Sequence, residues 1–175
     1  MALFNHIALP SAPAKQQVER KAIWNDARSP NDADFFTVGY TGRNIDDLLG
    51  LLEEHGVRTL VDIRYNAVSM YRPELSKSNL QRHVEGRGIA YTHLRELGVP
   101  STVRSKAAAA GNREYIWEWY DKYVVPLYPG RNLHRFLNSL EHPVALMCVE
   151  IDPGECHRHR LFIALEALGL RGYDL

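Results

Sequence analysis

Both cysteines of the 175-residue chain lie close together, at Cys148 and Cys156, and the second leads directly into His157, Arg158, His159 and Arg160. A thiol among imidazole and guanidinium groups suits nucleophilic chemistry, because the thiolate is the attacking form and positive neighbours favour it. The spacing adds a reason. Asp152 can cap a helix, Pro153 fits a first helical position, and Glu155 stands where a capping-box acid reaches back. This predicts Cys156 in the first turn of a helix, where unpaired amides and the helix dipole favour negative charge. Basic groups crowded at that positive end cost energy unless an anion compensates them, so the run reads as an anion site. Two plainer readings stand beside this one. Cys148 lies within the apolar run Val144–Val149 and fits an inert core position, and a capped strand–turn–helix joint is ordinary scaffolding.

The candidate catalytic residues are therefore Cys156, Cys148, His157 and Asp62, with His93 as an alternative proton carrier. Arg64, Arg72 and Arg158 are candidates to clamp an anion, and Tyr40, Gly42, Arg43, His93 and Glu150 to complete its site. Asp62 and Arg64, two apart on a strand, point the same way and equally suit a structural ion pair. A zinc site from Cys148, Cys156, His157 and His159 is not favoured, since structural zinc uses ligand pairs at closer, regular spacing. No metal and no cofactor are expected.

These residues need a scaffold that gathers them. Phe35–Tyr40 reads as a strand, Thr41-Gly42-Arg43 as a turn, and Asn44 with Asp47 as a capping pair ahead of Ile45, Leu48, Leu49 and Leu52 at helical spacing. Gly56 closes that helix, and Arg58–Arg64 is the next strand. A helix from Ser76 to the Gly86-Arg87-Gly88 stop and a strand over Ile89–Leu94 follow, with Tyr65–Leu75 a loop between. Helices are expected over Arg113–Val125 and Asn132–Leu140, with Ile116, Trp117, Tyr120 and Tyr123 covering one face of the sheet. Ala107–Ala110 is read as a mobile loop, Val144–Val149 as the central strand, and Gly172–Leu175 as a short edge strand. Strands alternating with helices define an α/β fold: a three-layer, open, mostly parallel sheet with helices on both faces. In such sheets ligands bind beyond the carboxyl ends of the strands, where all the candidates above should share one rim.

The length suits one domain, residues 35–175, preceded by an extension over residues 1–34 with a short helical pattern around Val18, Ala22 and Ile23. Lysine plus arginine and aspartate plus glutamate balance at 21 each, so no overall positive field holds nucleic acid non-specifically. The expected partner is an anionic small molecule. Low cysteine content, with no N-terminal apolar leader and no run of membrane-spanning length, points to a reducing, cytoplasmic setting.

Four separated segments carry a resemblance: FTVGYTGR at 36–43, LVDIR at 60–64, IAYTHLxxLG at 89–98 and ALMCVExxPxxCHRxxL at 145–161. Together they resemble the family known as domain of unknown function 488, over roughly Phe35 to Leu175. The resemblance implies the fold and brings a suspicion that the cysteine and histidine positions are catalytic, as in a Cys-dependent hydrolase or transferase. The alternative is a non-catalytic module that binds a nucleotide or a nucleic-acid end. Rhodanese-like and cysteine-phosphatase domains are similar in architecture, with a comparable V-D-x-R strand and a cysteine before a helix. Their loops differ: where a cysteine phosphatase has arginine six positions after the nucleophile, Cys148 is followed by Gly154. Sulfur or phosphoryl transfer is thus an analogy of architecture.

Overall fold

The structure, a computed structural model, is described for residues 28–127 and 131–175. The pattern expected around Val18, Ala22 and Ile23 lies outside the described residues. Five strands form one sheet: β1 (Phe35–Gly39), β2 (Thr59–Asp62), β3 (Ala90–His93), β4 (Val144–Cys148) and β5 (Gly172–Asp174). Their order is β3-β2-β4-β1-β5, and every pairing is parallel. The helices are α1 (Ile45–Glu54), α2 (Lys77–Glu85), α3 (Ser101–Ala109), α4 (Glu114–Tyr123), α5 (Arg131–Asn138) and α6 (Arg158–Glu166).

Alternation along the strands sorts the core into two layers. Phe36 and Val38 of β1, Leu60 of β2 and Ala145 and Met147 of β4 face α1 and α2, meeting Leu48, Leu49, Leu52, Leu80 and Val84. Val61, Val144, Leu146 and Cys148 face the other way, against Val103, Tyr120, Leu137, Leu161, Phe162 and Leu165 of α3 to α6. The sheet is thus sandwiched between helices, and β4 is central and buried throughout. α1 begins as its sequence dictates: the Asn44 side chain accepts from the Asp47 amide at 2.8 Å, and Asp47 accepts from the Asn44 amide.

Three local expectations are corrected. The alanine run is not a loop, since Ala107–Ala109 close α3, which buries Val103 and Ala107. Tyr123 does not cover the sheet; it is 48% exposed, and Tyr120 is the aromatic residue of α4 that is buried. The helix after β4 starts later than its capping signals suggest. Asp152 does cap a turn, accepting from the Gly154 amide at 2.8 Å, but that turn is a short 3₁₀ segment over Pro153–Glu155. Cys156 then takes an extended conformation (φ −121°, ψ 143°), and α6 begins at Arg158. Glu155 leaves the cap to meet Arg113, with Arg113 Nη1 donating to its carboxylate at 2.5 Å. The amides that were to favour a thiolate at Cys156 are therefore not arranged around it as a first helical turn.

Candidate functional site

The strand order locates the crevice. From β2 the chain leaves through α2 toward β3, and from the adjacent β4 it leaves through α6 toward β5 on the other side, so the two exits diverge. Between diverging exits at the carboxyl end of a parallel sheet lies the expected binding crevice. A cleft of about 70 Å³ opens there. Residues from the end of β2 (Arg64, Tyr65 and Asn66) form one wall, those from the end of β4 (Cys148, Val149 and Glu150) another, and His157 closes its floor. Arg104 of α3, Arg113 just before α4 and Trp117 of α4 reach in.

At the base of the cleft, Cys148 Sγ lies 3.7 Å from His157 Nδ1, 3.8 Å from His157 Nε2 and 4.0 Å from Glu150 Oε2. His157 Nε2 faces the Ile63 carbonyl at 3.4 Å, and its ring packs on Tyr120 with centroids 5.1 Å apart. Burial disfavours the imidazolium of His157, but the Cys156 sulfur, the Glu150 carboxylate and the Ile63 carbonyl outweigh it and raise its pKa. Both thiols are buried, each 1% exposed, in the core layer on the α3–α6 side; Cys148 lines the cleft and Cys156 does not. Burial, together with the neighbouring Cys148, pushes the Cys156 thiol well above the ordinary range. His159 also turns away: its ring sits edge-on to Trp117, and burial lowers its pKa to about 4.

Asp62 and Arg64 form the ion pair foreseen from their spacing. Asp62 is fully buried and Arg64 is 4% exposed. Arg64 Nε donates to Asp62 Oδ1 at 2.9 Å and Nη2 to Oδ2 at 2.6 Å, a fork-on-fork arrangement. The Tyr91 hydroxyl adds a third donor at 2.7 Å, and Tyr40 lies under the guanidinium, 5.3 Å from ring centroid to Cζ. His93 Nε2 meets the Arg64 carbonyl at 2.7 Å. Asp62, Tyr40 and His93 thus support Arg64 from below, while Arg64 itself lines the cleft.

Two expected anion clamps are corrected. Arg158 is fully buried on the far side of β1, where it pairs with Asp174 at 3.1 Å and donates to the carbonyls of Glu150 and Ile151. Its charge is spent on holding the loop after β4 to β5, because a guanidinium without solvent must saturate its donors internally. Arg72 pairs with Glu74 at 2.9 Å and reaches toward the Tyr40 carbonyl, and it does not line the cleft. Arg43 donates to the Gly39 and Leu175 carbonyls, and Gly42 provides the left-handed turn residue (φ 80°), so neither lines the cleft.

Tertiary structure supplies residues that sequence reasoning missed. Arg104 lines the cleft with its Nε buried and, among the described residues, without a hydrogen-bond partner. Arg113 bridges to Glu155 across the mouth and lies over Trp117, 5.9 Å from Cζ to ring centroid. The separation of α3 and α4 from the cysteine segment left no local signal for either arginine.

Fold and site together define an open parallel α/β protein with a cysteine and a histidine at the base of an arginine-rimmed cleft. The chain belongs to the family described as Domain of unknown function DUF488, whose family model matches residues 44–165. No curated protein and no solved structure was found to match it. Among the described residues, no helix is long and apolar enough to cross a membrane.

Proposed function

We propose that the protein is a cysteine- and histidine-dependent enzyme, a hydrolase or transferase, acting on a substrate with a small anionic group. The carrying observation is Cys148 Sγ set 3.7 Å from a histidine nitrogen in a cleft whose rim holds Arg64, Arg104 and Arg113. Of the two cysteines Cys148 is the nucleophile, because it lines the cleft and Cys156 does not. In the reaction Cys148 gives its proton to His157 and its sulfur attacks the electrophilic centre bearing the anionic group. The leaving group departs with the proton from His157. Water, or an acceptor hydroxyl in a transferase, then displaces the sulfur and restores the thiol. Arg104, whose Nε has no hydrogen-bond partner among the described residues, receives the negative charge, and Arg64 presents a guanidinium already fixed by Asp62. The anionic group would sit against Cys148 and the arginines, with the rest of a nucleotide-like substrate along Tyr65 and Trp117.

Alkylation by iodoacetamide, with and without inorganic phosphate, tests this. In the metal-free folded chain, Cys148 should react about tenfold faster than Cys156, and phosphate should slow that reaction. Arg104→Ala should weaken the phosphate protection by about tenfold, the loss of roughly one charge-assisted hydrogen bond. Equal and slow labelling of both thiols would remove the nucleophile. Protection by phosphate with no accelerated labelling of Cys148 would instead favour the binding module.

A further inference from the structure

The cleft floor holds more than a nucleophile and its base. One ligand atom each from Cys148, Cys156 and His157 lies within 4.8 Å of the other two. We infer that this triangle is a binding site for a thiophilic divalent ion, zinc(II) above all, and that occupancy withdraws Cys148 from nucleophilic chemistry. The ion-binding part stands independently of the proposed function; its consequence for reactivity rests on that reading.

Three features support the assignment. The first is distance. With Zn–S about 2.3 Å and Zn–N about 2.0–2.1 Å, two tetrahedral ligands lie about 3.6 Å apart, and Cys148 Sγ is 3.7 Å from His157 Nδ1. A small closure of the triangle is all that binding requires. The second is a carbonyl partner for the ring. A metal-bound histidine commonly donates its other N–H to a carbonyl, which fixes tautomer and ring orientation, and His157 Nε2, itself 3.8 Å from Cys148 Sγ, has the Ile63 carbonyl at 3.4 Å to receive that proton when Nδ1 is the ligand. The third is charge. Two buried thiolates alone would be costly, but two thiolates and a neutral imidazole cancel a divalent cation, so the filled site is electrically neutral in a core that tolerates no uncompensated charge. The two thiol protons leave to solvent as the ion enters.

The ligand set is also that of a reactive zinc centre. Structural zinc takes four protein ligands at regular spacing, whereas two cysteines and one histidine leave a position open. Cys148 and His157 line the cleft, so that open side faces Glu150 and the arginines. Cys156, which the nucleophilic mechanism leaves unused, acquires a role as the ligand that does not line the cleft.

The test uses the full chain, stripped with a chelator and titrated with cobalt(II), followed by displacement with zinc(II). One equivalent should bind, with thiolate-to-cobalt charge transfer and the intense visible bands of tetrahedral coordination. Cys148→Ser and Cys156→Ser, each checked for folding by circular dichroism, should each weaken binding by roughly 100-fold or more. Zinc should protect Cys148 from iodoacetamide in the parent chain. Absence of the charge-transfer band, or full affinity retained in Cys156→Ser, would overturn the site. Binding that leaves Cys148 freely alkylated would overturn its consequence. The proposed function is judged apart from this, by the metal-free alkylation rate: a fast Cys148 with no bound cobalt leaves that function standing alone, and bound cobalt with a slow metal-free Cys148 leaves the metal site standing alone.

Discussion

Gly39→Ala should destabilise the protein by about 3 kcal/mol or more, enough to leave much of it unfolded at moderate denaturant. Gly39 ends β1 beside Cys148 in the register of the sheet. A Cβ there would stand 1.8 Å from the Glu150 carbonyl oxygen and 2.5 Å from its carbon. That backbone cannot swing aside cheaply. Val149 accepts from the amides of Tyr40 and Thr41 at 3.2 and 2.9 Å, and Arg158 grips the Glu150 and Ile151 carbonyls. A methyl group would therefore push the segment that carries Glu150 away from Cys148, damaging fold and cleft together. Gly50→Ala provides the contrast, since a Cβ at that exposed helical position meets nothing within 4 Å. It should stabilise α1 by about 0.5–1 kcal/mol through helix propensity and reduced unfolded-state entropy. Urea unfolding of both variants measures the pair, and equal effects would show that the close approach at Gly39 does not constrain the loop.

The parts legible in the sequence were those governed by neighbours in the chain. The apolar run Val144–Val149, the Asn44–Asp47 capping box and the Asp62–Arg64 spacing each act within a few residues, and each is realised. α3 was not legible, because it starts after Pro100 without a side-chain cap and buries only Val103 and Ala107. The joint after β4 was half legible. Asp152 caps as its identity suggests, but the capped turn stops as a 3₁₀ segment, and Glu155 pairs with Arg113, 42 positions earlier, a contact that no local pattern signals. The same limit applies to the cleft. Arg158 had the composition of an anion clamp, yet Asp174 on β5 claims it, and Arg104 in a weakly patterned helix reaches the cleft. Charge type was readable, and charge placement depended on which strands the fold made adjacent.

Asp62→Ala should cost about 3–5 kcal/mol, the usual penalty for stranding one member of a buried ion pair. The carboxylate is fully buried and receives Arg64 Nε, Arg64 Nη2 and the Tyr91 hydroxyl, so its removal leaves a guanidinium at 4% exposure without its counter-charge. Salt would do little to relieve that charge, since screening acts weakly on buried pairs. The companion variant Asp62→Ala/Arg64→Met separates the pair's net contribution from the cost of breaking it. Removing both charges and filling the space with an apolar chain should return stability to within about 1–2 kcal/mol of the parent. Reactivity should not return with it. Arg64 lines the cleft beside Cys148, and a methionine there offers no charge to an anion, so phosphate should protect Cys148 less in the double variant than in the parent. Denaturant unfolding and phosphate-protected alkylation on the same three proteins measure the two consequences. A single variant losing less than about 1 kcal/mol would mean that Arg64 finds water or another acceptor when Asp62 is gone. A double variant with full phosphate protection would mean that Arg104 and Arg113 hold the anion without Arg64. The stability of this pair and the charge it presents to the cleft are therefore separable by experiment, although one guanidinium serves both.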